Sequence, residues 1–257
     1  MLFGLIPAPD RRAIGGSRSV AKHIGIVAVS PEGSALCYRQ IFHQATKLVG
    51  QAGHPRVTLH NEPFEAYIEA VLRDDWRGVG DLLRKSAEVL ARAGAEFCIV
   101  PDNLMQHAID LAEVGSPIPW LKMTDLVAEA ISTDHRKVVG LIGTRMVMLG
   151  STYQTTLGMR GVQVLVPPEE EASLVDTIIF RELVHGVIRP ESQQRVLEVI
   201  GRLSEQQGCE GVILGCTEAP LLVTAENSPI PVYDSVGLLA WGAVQRSLGR
   251  DEPQPAI

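Results

Sequence analysis

A transmembrane helix needs about 18 consecutive apolar residues. No stretch of this sequence supplies them, although 46% of its 257 residues are hydrophobic, so no membrane partner is expected. Basic clusters are also missing. The formal net charge is −7, and no Lys/Arg run interrupts the acidic excess, which leaves no electrostatic footprint for nucleic acid. The opening MLFGLIPAPDRRAIGGSRS has no basic region ahead of a long apolar stretch. It does not read as a secretory signal, and residues 1–22 are expected to form a loose arm. Cysteine is scarce: Cys37, Cys98, Cys209 and Cys216 lie at no metal-ligand spacing and are too sparse for a disulfide framework. No metal is expected, and free thiols point to a cytoplasmic protein.

What is there is a regular alternation. HIGIVAVS (His23–Ser30), RVTLHN (Arg56–Asn61) and FCIVPDN (Phe97–Asn103) read as strands. ALCYRQIFHQATKLVG and WRGVGDLLRKSAEVLARAGA have helical apolar spacing, the second with Gly94 at its end. The pattern then restarts with helix MTDLVAEAIS, strand KVVGLIGT (Lys137–Thr144), short strand VQVLVPP and helix SLVDTIIFRELVHGVI. Helix SQQRVLEVIGRLSEQQG leads into the strand of CEGVILGCTE. Strand and helix in turn mean α/β architecture with parallel sheets covered on both faces.

The restart has a period. Phe97 and Gly211 are 114 residues apart, as are Asp102 and Cys216; Gly25 and Gly140 differ by 115, Leu59 and Leu165 by 106. A near-constant offset predicts two similar halves: residues 23–117 with 218–257, and residues 118–217. The register sets Asp102-Asn103 where Cys216-Thr217 sits in the other half. Both pairs fall at carboxyl ends of strands, where open parallel sheets bind ligands. If the halves face each other, a carboxylate and a thiol flank one cleft.

The stretch GVILGCTEAPLL ends a buried strand in a thiol followed by Thr217 and Glu218. Amides and a helix start after such a strand would favour the thiolate. A thiolate nucleophile wants a histidine to recycle it, and no histidine neighbours Cys216 in sequence. A base on one face and an acid on the other would instead move a proton across a planar carbanion. Cys37, Cys98 and Cys209 read as small buried hydrophobes. His60, ending the second strand, is within reach of the cleft.

These residues resemble the aspartate/glutamate racemase superfamily. GVILGCTEAPLL resembles its second catalytic motif, and IVPDNLMQHA its first, usually Pro-Cys-Asn-Thr followed by a His. GLIGTRMVMLGSTY and IIFRELVHG resemble two further family segments, and the likeness runs from about His23 to Leu248. It implies two pseudo-symmetric α/β domains with the site between them, and cofactor-independent proton transfer at a carbon next to a carboxylate. It also implies Cys216 as one acid/base, with Asn103, Thr217, Thr144 and Ser30 holding the substrate carboxylate.

The sequence departs from the pattern at several points. Asp102 replaces the first cysteine, Leu104 the following Thr, and Gln106 the His, with His107 one place later. The loop after the first strand reads AVSPEG in place of Gly-Gly-Met-Gly-Pro. Where many aspartate-specific members carry a Lys stands Val184-His185, so His185 is the remaining candidate for a distal carboxylate. Burial can raise an Asp pKa enough to make Asp102 a proton donor facing a thiolate; otherwise it grips a substrate ammonium. The expectation is a racemase acting on an acidic or related amino acid, with further copies of the chain as partners. The alternatives are a single-cysteine lyase or decarboxylase and a non-catalytic amino-acid binder.

Overall fold

The computed structural model describes residues 21–50 and 53–250. Most of the expected arm, up to residue 20, therefore lies outside the described residues.

The first half opens with β1 (Ile24–Ala28), whose five residues are all buried. A strand apolar on both faces belongs at the centre of a parallel sheet. α1 (Pro31–Val49) starts where Ser30 accepts a hydrogen bond from the Gly33 amide at 3.3 Å, with Pro31 entering the first turn. β2 (Val57–Asn61) follows on the sheet edge, then α2 (Phe64–Leu72) and α3 (Trp76–Arg92). α3 is capped by Asp75 and buries Val79, Leu83, Ala87 and Leu90, one stripe at helical spacing. β3 (Phe97–Ile99) and the short α4 (Ile109–Glu113) complete this stretch. The sheet order is β2-β1-β3, all parallel.

After α5 (Met123–Thr133) the second half runs β4 (Val138–Gly143), α6 (Arg145–Leu149), α7 (Thr152–Gly158) and β5 (Gln163–Leu165). It continues with α8 (Glu169–Arg181), α9 (Pro190–Gln207), β6 (Val212–Gly215), β7 (Val232–Asp234) and α10 (Ser235–Ser247). Three glutamates in the first turn of α8 suit the helix dipole, and Gly208 at φ 71° ends α9. The sheet order is β5-β4-β6-β7, again all parallel.

The two sheets repeat one plan. Pro119 and Leu121 bond to Cys98 on the outer side of β3, as β7 pairs with β6 on the outer side. Gly25 pairs with Cys98 and Thr58, and Gly140 with Val212 and Leu165. The third-strand offset is thus 114, while the edge-strand offset is 107, one more than the apolar residues alone indicate.

The seams fall elsewhere than residues 117 and 217. Residues 119–121 still pair with the first sheet, and β7 adds to the second. Only α10 returns to the first half, where Val236, Leu239, Ala240 and Val244 share a core with Ile24, Ile41 and Phe97. The expected helix through residue 188 is also shorter. α8 stops at Arg181, Glu182 leaves helical geometry at φ −127°, and a 3-10 turn spans Leu183–His185.

Candidate active site

The carboxyl ends of β1, β3, β4 and β6 converge on one cavity of about 240 Å³ between the halves. Its polar wall includes Ser30, Asp102, Asn103, Thr144, Cys216, Thr217 and Glu218. The register expectation therefore holds in space: the carboxylate of one half and the thiol of the other face the same cavity.

The turn after β3 is pinned by Gln106. Its Nε2 donates to the carbonyls of Val100 at 2.9 Å and Asp102 at 3.1 Å, and its Oε1 accepts from the Met123 amide at 3.0 Å. Within this frame Asp102 Oδ1 accepts from the amides of Leu104 at 3.0 Å and Met105 at 3.2 Å. Asp102 is half-buried and lines the cavity. Burial pushes its carboxyl above the usual value, the two amides pull it back, and the charge of Glu218 pushes it up again. Asn103 is buried; its Oδ1 accepts from the Tyr153 hydroxyl at 2.6 Å, and its Nδ2 has no partner. A buried N–H group left unpaired costs about 1–3 kcal/mol.

The turn after β6 is built differently. Gly143 and Gly215 stand opposite each other in the ladder, and a Cβ on Gly143 would come within 2.7 Å of the Gly215 carbonyl. This close approach sets Thr144 and Cys216 on neighbouring strand ends. Thr217 is buried against the start of α1, where a Cβ on Gly33 would lie 2.9 Å from its methyl. The Cys216 thiol donates to Glu218 Oε2 at 3.1 Å.

The expected lowering of the Cys216 pKa is reversed. Burial and the negative charge and hydrogen bond of Glu218 push the thiol well above its ordinary 9.0. The amides of Glu218 and Ala219 pull the other way. The helix on which that expectation rested is a three-residue 3-10 turn, Ala219–Leu221, too short for a helix dipole to outweigh burial. The other three thiols are buried as well, with Cys98 pushed up to about 12 by burial.

Two expected ligand contacts lie outside the cavity. His60 turns its ring to α3, with Nδ1 3.1 Å from Ser86 Oγ. His185 is exposed on the 3-10 turn after α8, while its neighbour Val184 lines the cavity. Sequence reasoning missed Glu218, Gln106 and Tyr153 as parts of the site. Glu218 was visible in Cys-Thr-Glu; Gln106 acts mainly through nearby backbone carbonyls, and Tyr153 through a contact 50 residues away. Among the described residues no group of three or more His, Cys, Asp or Glu can hold a metal, and no helix is long and apolar enough to cross a membrane.

The sequence pattern of the Asp/Glu/Hydantoin racemase family matches residues 26–243. The chain belongs to that family. Among its relatives is a glutamate racemase from Ectopseudomonas mendocina, 30% identical over 66% of this chain and 65% of that protein. The chain thus spans just under two thirds of that relative's length. A glutamate racemase from Limosilactobacillus reuteri is 27% identical over 83% of this chain and 70% of its own. The fold is shared more fully. An aspartate racemase homologue from Pyrococcus horikoshii superposes with a TM-score of 0.81 at 27% identity, covering 88% of this chain and 99% of its own. Within this Asp/Glu/Hydantoin racemase family member, the two motifs of the resemblance, Asp102-Asn103 and Cys216-Thr217, both line the cavity.

Proposed function

We propose that this protein is a cofactor-independent racemase that moves a proton at the carbon α to a carboxylate of an amino acid, with Asp102 and Cys216 as the acid–base pair. The observation that carries the reading is the shared cavity with one proton-transfer group from each half. The α-carbon lies between them. One group removes the α-proton as the other delivers a proton to the opposite face, so the C–H bond broken and the C–H bond formed balance. The Cys216 thiol, held protonated by burial and by Glu218, is the donor, and the Asp102 carboxylate, held by two amides, is the base. One turnover leaves Asp102 protonated and Cys216 as thiolate, the pair required for the opposite enantiomer. Burial disfavours both anions, and a substrate ammonium group offsets that penalty. The substrate carboxylate meets the free N–H of Asn103 and the hydroxyls of Thr217, Thr144 and Ser30.

A second reading, protonation of one face by Cys216 after loss of a carboxylate, is favoured by the presence of a single thiol in the cavity. The same proposal carries a reducing, cytoplasmic setting for the four unpaired thiols and assembly with further copies of the chain, which light scattering on the eluting protein checks. The deciding experiment is NMR of amino acids in D₂O. Loss of the α-proton signal with wild type and its retention with Cys216→Ser supports racemisation. Exchange that survives in the Ser variant overturns the assigned pair, and carbon dioxide release from a malonate without α-exchange favours the second reading.

A further inference from the structure

The wall facing the acid–base pair is apolar. α2 contributes Phe64, Ile68 and Leu72, and the other half contributes Met146, Phe180 and Val184. Five of these keep large exposed surfaces: Leu72 at 80%, Phe180 at 54%, Met146 at 48%, Phe64 at 46% and Ile68 at 39%. Isolated exposed apolar residues need no explanation. These line opposite sides of one cavity with reacting groups at its floor, where a bound molecule would take them out of water. Among the described residues, the charged groups lining the cavity are both acidic, Asp102 and Glu218, and no Lys, Arg or His lines it.

We infer that the substrate is an α-amino acid with an uncharged apolar side chain, aliphatic or aromatic, and that dicarboxylic amino acids are discriminated against. The inference rests on the racemase reading and adds the substrate class. Each part of such a zwitterion has a counterpart. The ammonium group meets Glu218, the acidic lining residue outside the proton-transferring pair. The carboxylate meets the unpaired N–H of Asn103, whose carbonyl oxygen is already taken by Tyr153. That amide therefore offers donors, and an acceptor must fill it. The side chain lies along Phe64, Leu72 and Phe180. A second carboxylate would be stripped of water against Val184 and Phe180, with two acidic groups nearby and no cation, an uncompensated desolvation.

The test compares initial rates of α-proton exchange in D₂O for leucine, phenylalanine and methionine against aspartate and glutamate, each enantiomer separately. An apolar amino acid exchanging at a kcat/KM at least about tenfold above either dicarboxylate supports the inference; that ratio corresponds to about 1.4 kcal/mol. Faster exchange of aspartate or glutamate overturns the substrate class and leaves the racemase reading standing. If no amino acid exchanges, the racemase reading fails, and saturation-transfer NMR decides the class by binding alone. Preferential saturation of leucine or phenylalanine over aspartate supports it, and equal or reversed saturation overturns it. Val184→Lys supplies the missing cation at the wall and is expected to shift the kcat/KM ratio toward aspartate by about tenfold or more. A ratio unmoved in a folded Val184→Lys protein overturns the placement of the side chain along this wall.

Discussion

The turns after β3 and β6 occupy equivalent places in the two halves, 114 residues apart, yet they surround their titrating groups with opposite partners. The first gives Asp102 two amide donors inside a frame braced by Gln106. Those bonds support the anion. The second gives Cys216 a carboxylate acceptor, Glu218, and buries the thiol. That arrangement keeps the proton on sulfur. A duplicated scaffold can supply matched positions, and the residues around each position then set what its titrating group is bonded to.

The largest expected effect comes from removing the donor end. Cys216→Ala should lower racemisation by about a thousandfold, the middle of the range one acid or base contributes, with ligand binding retained by NMR. Activity within tenfold of wild type would break the comparison outright. Asp102→Asn keeps the amide contacts to Oδ1 and removes the titrating group, so kcat should fall about a hundredfold with KM changed much less. Asp102→Cys should retain turnover. If Asn instead raises KM and spares kcat, the first turn grips the ammonium group and is no counterpart of the second in chemistry.

The bracing is open to an equilibrium measurement. Gln106→Leu leaves the Val100 and Asp102 carbonyls and the Met123 amide without their partner. A loss of about 2–4 kcal/mol in denaturant unfolding is expected, since each orphaned buried group costs about 1–3 kcal/mol and relaxation recovers part. Glu218→Gln removes a charge that raises the Cys216 pKa. Its thiol should titrate at lower pH than in wild type and react with iodoacetamide severalfold faster at mildly alkaline pH, as read by peptide mapping. Unchanged reactivity would mean that burial alone sets the thiol.

The smallest effect has a definite sign. Folding raises the Asp102 pKa above its ordinary 3.8, so the folded protein binds this proton more tightly than the unfolded chain. Its contribution is most favourable below pH 3.8 and is lost as pH rises through the folded value. Asp102→Asn should therefore raise Tm slightly at neutral pH when measured without added amino acid, with the difference shrinking toward acid. A lower Tm at neutral pH would show that the amide contacts to the anion outweigh its burial.

The alternation of apolar runs and the 114-residue offset made the parallel halves and the facing of Asp102 and Cys216 legible from sequence alone. Other features depended on geometry that spacing does not encode. His60 sits in an edge strand whose residues are all partly exposed, so strand parity gave no sign that its ring turns to Ser86. At Val184-His185 a one-residue choice is made by the break at Glu182, which turns the apolar residue inward and the histidine out. The direction of the thiol shift depended on the residues just after Cys216, where a short turn replaces the expected helix and Glu218 places a carboxylate beside the sulfur. Tyr153 reaches Asn103 across 50 residues of chain, and nothing local announces it.

The placement of α10 bears on how the molecule reaches this state. Eleven residues of α10 are buried, and its apolar face completes the core under β1 and α1. Ser247 hydroxyl donates to the Lys22 carbonyl at 2.6 Å, joining it to the lead-in of β1. About 200 residues separate the start of α1 from the start of α10. On the ribosome, therefore, β1 and α1 emerge long before the helix that covers them, and their apolar surface stays open until the second half has been made. Such late closure raises the entropic barrier to folding and lengthens the interval in which a nascent chain is exposed to aggregation or needs a chaperone.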